Sequence, residues 1–174
     1  MLRVYRTAFA IFLLVYFLPQ PLGQHTGPVK FSFRSIDGGN ITDVDVRGKV
    51  VVLIHSAAWL PVSRERAAAV RRLADEFTSK GVVFYLVSTD SESPTSKNYA
   101  SDERLREVAQ KHHLSFPILR DPEGKTLRKY GKRQIPLIVL LDKQGRVSGK
   151  PLEGFGPEGY LDRTLGSRLM RLTH

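Results

Sequence analysis

Val50-Val51-Val52-Leu53-Ile54-His55-Ser56-Ala57-Ala58-Trp59-Leu60-Pro61-Val62-Ser63-Arg64-Glu65 is the stretch whose reading decides the fold. Val50 to Ile54 is an unbroken run of β-branched and aliphatic side chains, the pattern of a strand buried on both faces. A short turn follows, and then a helical pattern with apolar residues at Val62, Ala69, Val70, Leu73 and Phe77 and charged residues between them. Lys80-Gly81 supplies a stop, with glycine expected at the C-cap. Val82 to Val87 is a second buried strand, so strand, helix and strand make a right-handed crossover between parallel strands. Chemistry in α/β proteins collects at such strand-to-helix turns.

The residues of this turn resemble a known family. Trp59-Leu60-Pro61-Val62-Ser63-Arg64-Glu65 lies over the first seven positions of the W-C-x-x-C-R-x-E signature of the thioredoxin superfamily, in its TlpA-like and redoxin branch related to AhpC/TSA. The resemblance continues through F-P-I-L-R-D-P-E-G-K at 116–125, Tyr130-Gly131, and Q-I-P-L-I-V-L-L-D-K-Q-G at 134–145. It covers the chain from about Val29 onward and implies a thioredoxin-like α/β fold, a central mixed β-sheet flanked by helices. It also implies a cis-proline at Pro136, and a hairpin leading into the central strand from the region before Val50.

Both cysteine positions of the signature are substituted, by Leu60 and Ser63, and the chain has no cysteine at all. Dithiol exchange needs a thiolate to attack a disulfide sulfur. Leu60 offers no nucleophile, and the Ser63 hydroxyl keeps its proton near neutral pH without an adjacent base. Thiol chemistry by this chain alone is excluded, as are a structural disulfide and a thiolate metal site. The family is nonetheless one of oxidoreductases.

The 174 residues suffice for one domain with a sizeable core. Met1 to Thr7 carries Arg3 and Arg6 and no acid, and Ala8 to Leu18 is wholly apolar, the length of a signal-peptide core and short for a spanning helix. Residues 1–24 read as a secretory signal cleaved near Gly23 or Gln24, or as an uncleaved membrane anchor; residues 25–174 read as the thioredoxin-like domain. Either reading places the protein outside the cytoplasm, in the periplasm or beyond it, or tethered to the membrane.

Along the domain, Gln24 to Pro28 reads as a linker and Val29 to Phe33 as an edge strand. Ser88 to Tyr99, polar and with Pro94, is a loop expected to face the 59–63 turn. Ser101 caps a helix running to about His113, and Leu127 to Tyr130 is a short helix closed by Gly131. Leu137 to Leu141 is a strand, Asp142 to Gly145 a hairpin turn with Arg146 to Ser148 as its partner, and Leu152 to Gly156 continues the edge. Pro157 opens a last helix with Leu161, Leu165 and Leu169 on one face.

The resemblance makes Trp59, Leu60, Pro61, Val62, Ser63, Ile135 and Pro136 a partner-binding edge, the vestige of an active site. Trp59 either forms part of that surface or only packs the edge of the core. Pro136 either exposes backbone for a partner's chain or is needed only by its turn. Ser63 reads as a helix-capping hydroxyl. His55, one residue beyond the apolar run, reads as a satisfied, partly buried side chain. His112 and His113 are adjacent and point apart on a helix, and His25 lies in the linker; no metal site and no cofactor are expected.

The chain carries a net charge of +10, and residues 25–174 hold 25 basic against 17 acidic residues, a net of +8. Lys125, Arg128, Lys129, Lys132 and Arg133 are the densest cluster, read as a basic rim of the binding edge or as a solvated basic face. No nucleic-acid-binding motif accompanies the charge, so no specific nucleic-acid partner is expected. Two functions follow. One is a redox-inactive thioredoxin-fold protein of the cell envelope that holds a polypeptide partner; the other is a member of a thiol-disulfide oxidoreductase or peroxiredoxin-type antioxidant system acting beside a cysteine-bearing partner.

Overall fold

The computed structural model describes residues 27–174. In chain order, β1 (Ser32–Ser35) and β2 (Asn40–Thr42) form an antiparallel hairpin, and β3 (Val50–Ser56) leads to α1 (Arg64–Thr78) and β4 (Val82–Ser88). Next come α2 (Asp102–His112), β5 (Ile118–Arg120), a 3₁₀ turn at Pro122–Gly124, and α3 (Lys125–Lys129). The chain ends with β6 (Leu137–Leu141), β7 (Leu152–Glu153), a π-helical turn at Asp162–Gly166 and α4 (Ser167–Thr173). One seven-stranded sheet in the order β2-β1-β5-β4-β3-β6-β7 joins them. β3, β4 and β5 run parallel, and β1, β2, β6 and β7 pair antiparallel with their neighbours.

This is the expected thioredoxin-like architecture. β3 sits between β4 and β6 and is buried at every residue, which accounts for its unbroken apolar run. The apolar stripe of α1 packs Val70, Leu73, Ala74 and Phe77 onto one face of the sheet together with Leu161, Leu165 and Leu169 of the C-terminal helical segment. α2 lies on this side too, its Leu105 packed with Ile36 and Ile118. The opposite face carries Val29, Phe31 and Phe33 and, from α3 and the residue after it, Leu127 and Tyr130. The described residues contain no helix long and apolar enough to cross a membrane. The reading of residues 1–24 as a signal or anchor falls outside the described residues.

Three local expectations are corrected. The first strand is not at the edge: its ladder starts at Ser32, and Arg34 and Ser35 pair with Arg120 and Leu119 of β5, leaving β2 outermost. Residues before it are held differently, the Val29 N–H donating to the Gly145 carbonyl at 2.8 Å. α1 ends at Thr78 with Ser79 as its cap, and Gly81, at φ +80°, comes two residues later because bonds from Lys80 N to Phe77 O and Gly81 N to Thr78 O tighten the last turn. His55 is inside β3, not beyond it, and is fully buried.

Candidate functional site

β3 delivers the chain to the turn at Ala57, where the Leu60 N–H bonds back to the Ala57 carbonyl at 3.1 Å. That tight turn throws Trp59 outward, 60% exposed, and sets Leu60 and Val62 half-buried. Ser63 closes the turn as the N-cap of α1, with extended backbone and its Oγ accepting from the Arg66 N–H at 3.4 Å. The loop after β4 braces the same turn. Asp90 Oδ2 accepts from the Ala58 N–H and from Ser88 Oγ, both at 2.8 Å, and the Thr89 N–H donates to the Ser56 carbonyl at 2.9 Å.

Beneath the turn, between α1 and α2, lies a groove of about 590 Å³. Its floor is Ile54, Leu105 and Phe155, and Trp59, Leu60, Pro61 and Val62 form one lip. Arg104, Glu107, Lys111 and His112 of α2 form the charged rim, and Arg104 is paired with Glu107 at 2.8 Å. Burial first, then the charge of Lys111, holds His112 below the usual histidine range.

The predicted edge is only partly brought together here. Ser63, Ile135 and Pro136 are not among the residues lining the groove. The Ile135–Pro136 peptide is cis, and the β3–β6 register, with His55 opposite Leu137, carries Pro136 beside Ser56 at the end of the strand. Ile135 packs into the core cluster on the sheet's other face, and the Pro136 carbonyl accepts from Gly154 N–H at 2.8 Å. Lys125, Arg128, Lys129, Lys132 and Arg133 lie on α3 and the loop after it, and none lines the groove.

The Glu65 carboxylate accepts from its own backbone N–H and from the Ser63 hydroxyl, which hold it below the ordinary carboxylate range and make it a weak base. His55 is a candidate base, but its position in β3 aims it at the face opposite the groove, where its ring meets Tyr130 edge-on at 5.7 Å. Its Nδ1 is 3.9 Å from Asp121 Oδ2, beyond hydrogen-bond distance, and neither ring nitrogen has a partner. Burial pulls its pKa down to about 3, so the imidazole is neutral at physiological pH. It is therefore fully buried and unsatisfied, not partly buried and satisfied as expected. Asp121 is engaged with the backbone of α3, accepting from the N–H groups of Thr126 and Leu127. Among the described residues no group of three or more His, Asp or Glu side chains could hold a metal ion.

Two elements of the candidate site had weaker sequence signals. Asp90 stands two residues past the end of β4, in the loop at the carboxyl edge of the sheet where ligand sites form. The α2 wall of the groove came from a helix legible only as amphipathic.

Similarity to known proteins agrees with the fold. Residues 26–150 match the AhpC/TSA family. The chain is 29% identical over 117 residues to the thioredoxin-like protein YneN of Bacillus subtilis, covering 67% of this chain and 64% of that protein. It is 25% identical over 117 residues to the thiol-disulfide oxidoreductase ResA of Bacillus anthracis, covering 67% and 62%. These first curated relatives are matched over less than two thirds of their own length. Peroxiredoxin Q, a chloroplastic protein of Gentiana triflora, is 28% identical over 149 residues, with 79% of this chain and 63% of that one covered. Among solved structures, MTB dsbF, seen in mixed oxidized and reduced forms, superposes with a TM-score of 0.65 at 23% identity, over 84% of this chain and 99% of that one. A secreted Mycobacterium tuberculosis disulfide oxidoreductase homologous to E. coli DsbE superposes with a TM-score of 0.63 at 19% identity, over 82% and 96%. With its thioredoxin-like fold, and with Leu60 and Ser63 where a cysteine pair would stand, the chain belongs to the AhpC/TSA family.

Proposed function

We propose that this protein is a redox-inactive thioredoxin-fold protein of the cell envelope that holds a polypeptide partner at the former active-site edge. The observation that carries the reading is the apolar groove whose lip is Trp59, Leu60, Pro61 and Val62, with Trp59 60% exposed above it. Leucine in place of a reactive cysteine exchanges covalent capture for hydrophobic contact, and an exposed indole beside an apolar groove is the composition of an interface anchor. In this reading Ser63 at the start of α1 and Pro136 beside the end of β3 extend the edge, with Ile135 anchoring Pro136 from the sheet's other face. Export, by a cleaved signal or by a retained anchor in residues 1–24, brings the domain to such a partner.

Affinity capture from an envelope extract tests this, comparing wild type with a Trp59→Ala, Pro136→Ala variant at two salt concentrations. Defined proteins retained by the wild type and lost from the variant at both salts are the expected result. Identical capture by both, abolished by salt, would refute the edge as the working surface.

A second reading rests on the relatives, among them a thiol-disulfide oxidoreductase and a peroxiredoxin. In it the protein belongs to an antioxidant or disulfide-exchange system and the chemistry is that of a cysteine-bearing partner. Insulin reduction and peroxide consumption separate the two: any turnover by the purified protein above a heat-denatured control would sink the redox-inactive reading.

A further inference from the structure

The sheet face opposite the groove carries the short helix α3, and its outward side chains are cationic. Lys125, Arg128 and Lys129 are exposed on it, and Arg133 is exposed in the loop that follows. Among the described residues, none of these four has an acidic partner, whereas Lys30 and Lys132 beside them are paired with Asp43 and Glu153. Arg128 Nη1 donates to the Glu123 carbonyl at 2.5 Å and the Lys129 ammonium to the Lys30 carbonyl at 3.3 Å. Backbone acceptors of this kind hold the side chains in place and leave their charge uncancelled. Glu123 and Asp45 are exposed acids of this face that carry no ion pair, with Asp45 hydrogen-bonded to Thr42.

A solvated basic face would require nothing more, but the path of the chain adds a second observation. Val29 and Phe31 are buried in the same cluster as Leu127 and Tyr130, and the Lys30 carbonyl receives Lys129, so the chain enters the described fold alongside α3. Only residues 19–28, which contain three prolines and two glycines, separate this point from the apolar run Ala8 to Leu18. Fully extended they reach at most about 35 Å. In sequence, an apolar run preceded by Arg3 and Arg6 is thus joined by ten residues to the point where the chain enters the fold beside the basic face.

We infer that the α3 face, through Lys125, Arg128, Lys129 and Arg133, is a docking surface for an anionic lipid bilayer. A single short apolar segment gives weak attachment, and a polybasic patch supplies the second signal that makes attachment stable. Each cationic side chain at an anionic surface contributes about fivefold in partitioning, and the attraction is confined to about a Debye length. Docking by this face fixes the orientation of the domain, because the groove between α1 and α2 is on the other side of the sheet and points away from the lipid.

The cysteine-free sequence makes the test direct. A fluorophore is attached to Glu123→Cys on the basic face or to Asp75→Cys on α1, in the full chain bound to vesicles carrying a headgroup quencher. On vesicles of phosphatidylglycerol and phosphatidylcholine, the Glu123→Cys probe is quenched several-fold more than the Asp75→Cys probe. That difference vanishes on pure phosphatidylcholine, at about 1 M salt, and in a Lys125→Gln, Arg128→Gln, Lys129→Gln, Arg133→Gln background; the lipid and salt arms need no charge variant. Equal quenching of both probes on anionic vesicles, or a difference that persists on phosphatidylcholine, overturns the inference. A Glu123→Cys probe that ignores anionic vesicles and responds to single-stranded DNA or polyglutamate also overturns it, and gives the face to a soluble polyanion.

Discussion

The Asp90 carboxylate accepts the Ala58 N–H at 2.8 Å, across 32 positions of sequence, and so locks the loop after β4 to the turn that carries Trp59 and Leu60. Asp90 is 1% exposed and also holds the Ser88 hydroxyl, so the turn owes its shape to a side chain outside the signature.

Asp90→Ala leaves a backbone donor and a hydroxyl buried without their acceptor, a loss of about 1–3 kcal/mol. Urea unfolding followed by circular dichroism is expected to show a lower midpoint at unchanged slope. A midpoint equal to wild type would mean that the turn holds itself.

His55 makes stability fall with acid. Its folded pKa is lowered to about 3 from an ordinary 6.5, so between these values the unfolded chain binds a proton that the folded one refuses. Unfolding free energy therefore rises with pH across this window: the contribution is complete above pH 6.5 and is lost as pH falls toward about 3. The loss for this group is of the order of a few kcal/mol. His55→Phe removes that part of the slope, and because neither ring nitrogen is hydrogen-bonded, the variant keeps or gains stability at pH 5. Parallel unfolding curves for both proteins between pH 7 and 4 would contradict this.

Leu60→Cys with Ser63→Cys tests whether the turn keeps the geometry of its family. The N-terminus of α1 remains in place to stabilise a thiolate. Thiol titration is expected to find a disulfide that forms in mild oxidant and opens in dithiothreitol. Thiols that never pair would show that the turn has changed shape along with its chemistry.

Arg34 joins Glu92 at 2.5 Å and Asp102 at 2.8 Å, and Arg120 approaches the same two carboxylates at 3.3 and 3.5 Å. The hydrogen bonds from Arg34 hold both carboxyls below their ordinary range. Their contribution is present above the ordinary carboxylate pKa and disappears as pH falls through the lowered values. Arg34 and Glu92 are each 44% exposed, so Glu92→Gln costs only about 0.2–1 kcal/mol and less at high salt. Arg120, 4% exposed, also donates to the Ala100 carbonyl at 2.8 Å; Arg120→Met costs about 1–3 kcal/mol and barely responds to salt. Thermal melts at two salt concentrations distinguish the pair.

How far the sequence was legible depends on how local each signal is. β3, β4 and β6 announce themselves because burial on both faces forbids polar residues, and α1 because its stripe repeats every three or four positions. β5 has only three residues, too few for a period, and without it β1 looks like an edge. The π turn at Asp162–Gly166 leaves the Leu161, Leu165, Leu169 spacing intact and so gives no sign of itself. Arg34 meets its acids 58 and 68 positions away, where no pattern along the chain can reach. The site was half legible for the same reason. Residues 59–62 are contiguous, whereas the α2 wall is contributed by tertiary packing, and the placement of Ile135 and Pro136 off the groove follows from a strand register that only the fold defines.

Trp59 is the chain's single tryptophan, and it stands 60% exposed on the lip of the groove. Its emission under selective excitation is therefore that of an indole already in water, and global unfolding changes its colour little. Covering the groove shifts the same emission to the blue. If the proposed partner fills the groove, the protein thus carries its own label for that event, one nearly silent to loss of fold.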